Sequence, residues 1–459
     1  MDDPATRENE GVGAASGRPD APSLKRRASA GALWVLMGHG AGQVLRLGSN
    51  LVLTRLLFPE AFGLMALVQI FLQAMQMFSE VGIRASIVQH ARGGDRVFLD
   101  TAWTVQILRG GVLWVVCLLG AYPFALFYDE HTLASLIPVA GLAALIAGFN
   151  STRLAVADRK IRLERVTLIE IGSQAAAIAV MITWAAISPS VWALVAGGVV
   201  RPALKMAASH LLLPGGRDRI GWDRDSFREL FRFGRWIFLA TLLTFVLQQG
   251  DKMIVGKLID PGLLGVYAIA VLWARMAVDV GLKIGAKVMF PALAEVANKR
   301  RENLRSRFFR ARVAFLAVLL PVTWGLAVFG DVLIEWLYDD RYAAAGWMVR
   351  LLAPGFAGAV ISGLSGNVQL AVGDSFRQMI VQVTRGALLI AGITVGWRLG
   401  SLPGLLVGVS ASKILDYPVV AWGLRKHGVW LPMLDLGAFA ATAAVVALGW
   451  FLRTPAVPW

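Results

Sequence analysis

The chain contains an internal repeat. Residues 54–67, TRLLFPEAFGLMAL, return 202 positions later as residues 256–269, GKLIDPGLLGVYAI. The aligned pairs include Arg55 with Lys257, Pro59 with Pro261, and Gly63 with Gly265. Each copy lies between two long apolar segments, so the repeat predicts a fold of two related halves that each contain one copy.

The composition indicates the environment in which the chain folds. Hydrophobic residues make up 57% of the chain and charged residues only 16%, with a mean hydropathy of +0.62. So few polar side chains cannot cover the surface of a soluble domain, which predicts an integral membrane protein. Many transporters are built from internal repeats, with the substrate site between them. The single cysteine, Cys117, leaves no disulfide framework or CxxC metal site, and we expect no metal or cofactor.

Apolar segments of about 20 residues are long enough to cross a bilayer as helices. Residues 1–29 precede the first segment as a polar tail that we expect to be disordered and cytoplasmic. The basic Lys25–Arg27 followed by an apolar run resembles a signal peptide, but the run is too long for one, which favours a retained first span. Thirteen spans are predicted, within a range of 12–14, near residues 30–53, 61–83, 101–127, 132–152, 166–187, 190–213, 234–256, 262–290, 312–330, 343–372, 378–399, 402–424 and 433–452.

The basic residues gather in alternate connections between these spans. We call the side that receives them the basic face, and the positive-inside rule makes it cytoplasmic, together with the N-terminus. The charge of +15 therefore indicates membrane orientation and not nucleic-acid binding. The predicted units are an N-terminal lobe at 30–213, a cytoplasmic linker at 214–233, a C-terminal lobe at 234–424 and an additional transmembrane helix at 425–459.

Polar residues form stripes along the first two predicted helices of each half. Charged groups at membrane depth are costly, so we expect them to face protein or water. Steps of three or four residues place each set on one helical face. The stripes are His39, Gln43, Arg46 and Asn50; Gln69, Gln73, Gln76 and Glu80; Thr241, Thr244, Gln248 and Lys252, beside Asp251; and Arg275, Asp279 and Lys283.

If the four stripes converge, they line a hydrated cavity of positive charge. Arginine binds phosphate through a fork of donors and lysine as a point charge, so such a cavity suits an anionic substrate. The candidate substrate ligands are Arg46, Arg275, Lys283, Lys252, Gln43, Asn50, Gln73, Gln76 and Gln248. Ion pairs that hold helices together are the alternative explanation, and Asp279 lies one turn from both Arg275 and Lys283.

Glu80, Asp279 and His39 are candidates for coupling transport to an ion gradient, because they titrate among the cations of the stripes. A neutral packing role explains His39 equally well. The remaining polar groups at membrane depth serve either a substrate path or local packing: Arg109, Arg201 with Lys205, Arg350, Arg385, and Lys413 with Asp416.

The phrases LVLTRLLFPEAFGLMALVQI at 51–70 and SEVGIRASIVQ at 79–89 resemble the Wzx-type polysaccharide and oligosaccharide flippases. These belong to the multidrug/oligosaccharidyl-lipid/polysaccharide exporter superfamily. The resemblance is specific over about 24–100 and recurs weakly in the second half. It implies an all-α polytopic membrane protein with two pseudo-symmetric six-helix bundles around a central cavity.

The resemblance also implies a function in the bacterial inner membrane. A flippase of this type moves undecaprenyl-pyrophosphate-linked oligosaccharide units across the bilayer by alternating access, and a polysaccharide polymerase or co-polymerase is its candidate partner. The lipid II flippase is similar and binds pyrophosphate with cations of its first and eighth helices. Arg46 and Arg275 are the nearest positions in this sequence. Asn50 departs from the pattern, because the lipid II flippase tends to have an acid there.

Three other functions remain open. A lipid II flippase or a multidrug exporter shares the superfamily, but an exporter of cationic drugs would favour an acidic cavity. A membrane-embedded polymerase or ligase usually needs a large external catalytic loop, and the connections opposite the basic face are short. We interpret Asp339 and Asp340, beside Arg341, as part of a solvated loop without catalytic function, and we expect no enzymatic activity.

Overall fold

A computed structural model describes residues 24–78, 83–90, 92–160, 163–229, 245, 249–285, 289–299 and 301–453. The regular structure of these residues is entirely helical, which confirms the predicted all-α class. Helix α1 already begins at Leu24, so the predicted disordered tail is wrong for residues 24–29. The apolar span continues there into a basic, alanine-containing turn that has good helix propensity. Residues 1–23 lie outside the described part.

The described residues of the N-terminal lobe form six long helices. They are α1 (Leu24–Leu56), α2 (Pro59–Phe78), α4 (Arg96–Tyr128), α5 (Leu133–Gly148), α7 (Leu163–Ile187) and α8 (Val191–Leu211). Two short helices, α3 (Ile83–Gln89) and α6 (Arg153–Arg159), lie in connections of the basic face. Arg84 of α3 contacts Asp158 of α6 at 2.5 Å, which brings two of these connections together at one end of the lobe.

The C-terminal lobe repeats this plan with more breaks. It contains α9 (249–258), α10 (Pro261–Ala274), α11 (Met276–Ile284), α12 (Phe290–Lys299), α13 (Leu304–Leu337), α14 (Ala344–Ser362), α15 (Ser365–Ala371), α16 (Ser375–Leu415), α17 (Tyr417–Lys426) and α18 (Pro432–Leu452). The predicted span 262–290 is bent by 46° between α10 and α11. Within α16, Gly400 and Ser401 leave the helical conformation, with φ of 48° at Ser401, and the chain reverses there.

Glycines bring the two arms of α16 together after this reversal. A Cβ on Gly396 would lie 2.8 Å from the carbonyl carbon of Gly404, and one on Gly408 would lie 2.6 Å from that of Gly392. Small residues of this kind let the backbones of membrane helices approach closely. Among the described residues, eight helices are long and apolar enough to span a membrane, or up to ten if each of two bent pairs counts as one span. The count of thirteen stays a prediction.

The two copies of the repeat pack against each other. A Cβ on Gly63 of α2 would lie 2.7 Å from the carbonyl carbon of Pro261, and one on Gly265 of α10 would lie 2.8 Å from that of Pro59. The contact is reciprocal, because equivalent residues of the two halves exchange places. The pseudo-symmetry predicted from the repeat is therefore present, with its axis between α2 and α10. This contact joins the lobes at the end opposite the basic face.

The segment after α8 is bound to the N-terminal lobe. Its backbone donates to α4 at three successive points: Arg219 N to Asp100 Oδ1 (3.0 Å), Gly221 N to Thr104 Oγ1 (3.0 Å), and Asp223 N to Thr101 Oγ1 (3.1 Å). Residues 214–229 of the predicted linker thus follow the surface of one lobe, and 230–233 lie outside the described residues.

The last helix, α18, is anchored in the C-terminal lobe by a buried ion pair. Arg312 of α13 contacts Asp435 of α18 at 2.9 Å, and both side chains are inaccessible to solvent. Tyr417 donates a hydrogen bond to the same carboxylate at 2.7 Å. The predicted additional helix therefore packs as part of the lobe. Burial makes this pair sensitive, since either partner alone would be an uncompensated charge.

A second charged cluster closes the turn before α16. Asp374 caps α16 and accepts hydrogen bonds from Arg377 Nη1 at 2.7 Å and from His427 Nε2 at 2.8 Å. Burial by itself raises the pKa of the Asp374 carboxyl, but these hydrogen bonds outweigh it and hold that pKa well below its ordinary value. The cluster ties the start of α16 to the end of α17.

Candidate functional site

A polar cavity of about 390 Å³, open on one side, lies in the N-terminal lobe between α1, α7 and α8. The first stripe forms one wall, because His39, Gln43 and Arg46 share a face of α1. The facing helices contribute Thr167, Glu170, Ile171, Gln174 and Arg201. Gln174 donates to the carbonyl oxygen of Gly42 at 2.8 Å and so fixes α7 against α1. We call this space the N-lobe cavity.

The charge of the N-lobe cavity is positive. Among the described residues that line it, the one carboxylate is that of Glu170, and Lys205 binds it at 3.1 Å. Within the described part of the chain, Arg46 and Arg201 make no hydrogen bond or ion pair through their side chains. Two guanidinium groups therefore reach one cavity with their donors available. Such a pair is suited to a phosphate or another dianion, which accepts forked hydrogen bonds.

A contact between the lobes lies at the edge of this cavity. Lys283 of α11 places its Nζ 2.5 Å from Nε2 of His39 on α1. Since an ammonium group only donates, the ring nitrogen of His39 is the acceptor of this hydrogen bond. The structure thus brings together four predicted site residues, His39, Gln43, Arg46 and Lys283.

A second cavity, of about 300 Å³, lies inside the C-terminal lobe, and we call it the C-lobe cavity. Its arginines already have acidic partners. Arg275 contacts Asp279 at 2.9 Å, and Arg385 contacts Asp416 at 2.5 Å. The pairing of Asp279 expected from its spacing is thus present with Arg275. Arg46 and Arg275 line different cavities in this conformation, so one phosphate does not reach both without a movement of the lobes.

The other predicted site residues take separate positions. Asn50 accepts a hydrogen bond from Tyr338 at 2.9 Å, and Gln73 accepts one from Gln249 of the other lobe. Gln76 lines a third cavity, between α2, α4 and α5, and Lys252 is half-buried on α9. Glu80 and Gln248 lie outside the described residues. No group of three His, Cys, Asp or Glu side chains suited to a metal occurs in the part of the chain that the structure describes.

The charged residues of the loop at Asp339 to Arg341 are solvated, as the interpretation has it: Asp340 is exposed, and the side chains of Arg341 and Asp339 are 32% and 34% exposed. The tyrosines that flank them are buried, which the interpretation did not include: Tyr338 and Tyr342 are 6% and 0% exposed, and the loop packs on the end of α1. The packing of this loop could have been inferred from the two aromatic residues that flank the charged triplet. Its contact with α1 could not, because α1 lies almost 290 residues earlier in the chain.

A family model described as "Polysaccharide biosynthesis protein" matches residues 52–346. The chain belongs to this polysaccharide biosynthesis protein family. The matched segment contains both copies of the repeat and the residues of α7 and α8 that line the N-lobe cavity. The cavity-lining residues of α1 lie before residue 52, outside the match.

Three known proteins are similar to this chain over most of their length. The lipopolysaccharide biosynthesis protein WzxC of Escherichia coli is 20% identical, over 89% of this chain and 85% of the relative. The teichuronic acid biosynthesis protein TuaB of Bacillus subtilis is 22% identical, over 83% and 80%. The amylovoran biosynthesis protein AmsL of Erwinia amylovora is 22% identical, over 72% and 86%.

Solved structures share the fold. An inward-facing multidrug resistance MATE family transporter of the MOP superfamily superposes with a TM-score of 0.70 at 12% identity, over 84% of this chain and 95% of that one. The lipid II flippase MurJ in an inward closed conformation gives a TM-score of 0.66 at 10% identity, over 92% and 93%. The polysaccharide biosynthesis protein therefore has the two-lobed fold of this superfamily, as predicted.

Proposed function

We propose that this polysaccharide biosynthesis protein is a flippase. It moves undecaprenyl-pyrophosphate-linked oligosaccharide units from the inner to the outer leaflet of the bacterial cytoplasmic membrane by alternating access. The observation that carries the proposal is the pair of available arginines, Arg46 and Arg201, in the N-lobe cavity of a two-lobed membrane protein of this family. A polysaccharide polymerase that uses the delivered unit is its proposed partner.

The pyrophosphate is the part of this substrate that a bilayer excludes most strongly. It loses hydration on entering the cavity, and charge-assisted hydrogen bonds of roughly 1.5–3 kcal/mol each offset that cost. Arg46 and Arg201 supply forked donors from two helices, while Gln43 supplies neutral ones. Lys283, at the edge of the same cavity, provides the first contact on the way in. We assign Arg275 to a later stage of the cycle, since it must first leave Asp279.

The charge of the cavity distinguishes this proposal from export of cationic drugs. A cationic substrate needs an acid that is not already neutralised, whereas Glu170 is bound by Lys205. The cavity would repel such a substrate through Arg46 and Arg201. An anionic lipid-linked substrate therefore fits the described residues better.

We also propose that the basic face is cytoplasmic and that transport is coupled to an ion gradient through His39, Asp279 or Glu80. His39 accepts its hydrogen bond from Lys283, so a proton on His39 would place two cations in contact across the lobes. Transport into vesicles that is unaffected by both proton and sodium gradients would reject the coupling.

The decisive experiment replaces the two arginines. Arg46→Ala and Arg201→Ala should each reduce leaflet-resolved transport of a pyrophosphate-linked oligosaccharide in vesicles by about tenfold or more, because each removes one or two charge-assisted hydrogen bonds. Lysine at either position should restore only part of the rate, because the fork is lost. Arg398→Ala is the matched control, since Arg398 is exposed and makes no hydrogen bond or ion pair with the described residues. Full transport by the Arg46→Ala, Arg201→Ala double variant would reject the site.

A further inference from the structure

The loop from Tyr338 to Tyr342 connects α13 and α14 of the C-terminal lobe, yet it also contacts the N-terminal lobe. The hydroxyl of Tyr342 donates to the carbonyl oxygen of Leu57 at 3.4 Å, and its ring meets Phe62 of α2 edge-on, with centroids 6.1 Å apart. A short external loop that only joins two helices has no need to bury two tyrosines. The burial indicates that this loop holds the lobes together.

Arg341 makes the main polar contact. Its guanidinium donates to the carbonyl oxygens of Thr54 at 3.3 Å and Arg55 at 3.1 Å. These carbonyls belong to the last turn of α1, where backbone acceptors lack helical partners and the helix dipole is negative. Arg341 therefore caps a helix of the opposite lobe. Asp339 holds the guanidinium in place at 2.5 Å, and the group lies 5.0 Å from the ring centre of Phe58.

Tyr338 adds a second link one turn earlier on α1. Its hydroxyl accepts a hydrogen bond from Trp273 Nε1 at 2.9 Å and donates one to Asn50 Oδ1 at 2.9 Å. Trp273 is on α10, two residues before Arg275. The chain of hydrogen bonds thus connects α10, the loop and α1, and the same α1 carries Gln43 and Arg46 into the N-lobe cavity.

We propose that the Tyr338–Tyr342 loop is a latch that closes the lobes at the outer face while the cavities open toward the cytoplasm. Arg341 and Tyr338 are positioning residues: they act through α1 and hold Arg46 in the inward-facing arrangement. Alternating access requires these hydrogen bonds to break when the lobes separate at this end. The inference rests on the proposed function and on the proposed orientation of the basic face.

Two cysteine reporters test the latch, each alone in a Cys117→Ala background. Leu57→Cys replaces a fully buried side chain beside the loop and keeps the carbonyl that Tyr342 contacts, whereas Ile171→Cys lies in the N-lobe cavity. An impermeant thiol reagent is applied to intact cells for Leu57→Cys and to inside-out vesicles for Ile171→Cys. The labelling rates report on the two faces and need no substrate.

Arg341→Gln or Tyr338→Phe should raise the labelling of Leu57→Cys about tenfold and lower that of Ile171→Cys, because the lobes shift toward the outward-open state. Arg341→Lys should restore part of the difference, and Arg398→Gln should change neither rate. Unchanged rates would overturn the latch. An increase at both reporters would also overturn it, because a merely structural role loosens the whole protein.

The outcome is separable from that of the proposed function. A reciprocal change in labelling without transport of the pyrophosphate-linked oligosaccharide would keep the latch and reject the substrate. Transport that depends on Arg46, with labelling unaffected by Arg341→Gln, would keep the flippase and reject the latch.

Discussion

Replacing Gly63 by alanine tests the reciprocal contact between the two copies of the repeat. The new Cβ would lie 2.7 Å from the carbonyl carbon of Pro261 and closer still to its oxygen. Non-bonded carbon atoms are ordinarily about 3.5–4.0 Å apart, so α2 and α10 would have to separate by roughly 1 Å. The obstacle is backbone and cannot rotate away. Gly265→Ala should have the same effect, since its Cβ would lie 2.8 Å from the carbonyl carbon of Pro59.

The size of the effect follows from two opposing contributions. Overpacking costs about 1–3 kcal/mol, and exchanging glycine for alanine inside a helix contributes about 1 kcal/mol of stabilisation. With a rigid backbone as the obstacle, we expect a net cost of about 2 kcal/mol. The cost applies only while α2 and α10 touch, so it shifts the population toward the state in which the lobes separate there, by about 30-fold.

The assay is external labelling of the Leu57→Cys reporter, combined with the melting temperature in detergent. Gly63→Ala and Gly265→Ala should accelerate labelling to a similar degree. Gly48→Ala is the matched control, because a Cβ on Gly48 meets no atom within 4 Å and only the helix-propensity gain remains. Equal labelling rates and melting temperatures for Gly63→Ala and Gly48→Ala would show that the close approach of α2 and α10 does not hold the lobes together, and so would widely different effects at the two repeat glycines.

Three further outcomes are expected. Arg312→Leu or Asp435→Leu alone should destabilise the protein by about 3–5 kcal/mol in denaturant titrations, whereas the double variant should recover most of the loss; an equally unstable double variant would contradict the account of the pair. Asp374→Asn should lower the melting temperature at pH 7. A carboxyl with a depressed pKa stabilises the fold above its unfolded pKa, near 3.8, so the difference in melting temperature between the protein and Asp374→Asn should shrink as the pH falls below that value. A difference in melting temperature that does not change with pH would contradict a stabilising role of the ionised Asp374 carboxylate. Cysteines at Asp129 and Glu302 should be labelled from opposite sides, Asp129 from outside; the reverse pattern would invert the orientation.

Much of the fold could be predicted because hydropathy and the repeat are local properties of the chain. Helices α4 and α7 begin and end within a few residues of their predicted spans, apart from the additional turn of α4 at the basic face. The break between α10 and α11 was missed. It has no proline or paired glycines at the bend, so no residue type marked it in the apolar run.

The candidate site was predictable only in part. The stripe of α1 placed Gln43 and Arg46 correctly on one face, since helical spacing determines which residues share a face. Arg201 remained undecided in the sequence, because the availability of its guanidinium depends on which helices surround it. The contact between Arg341 and α1 could not be anticipated either, since it joins residues 286 positions apart.

The sequence by itself determined that this chain is helical, crosses a membrane many times, and consists of two related halves with the basic residues on one face. Apolar segments of bilayer length must form helices, because no water satisfies their backbone groups in the hydrocarbon. Only the tertiary structure decided that Arg46 and Arg201 have no side-chain partner among the described residues while Arg275 is bound to Asp279, and that the Tyr338–Tyr342 loop caps α1. Those outcomes depend on the distances between helices that are remote in sequence, and the distances exist only once the two lobes have packed.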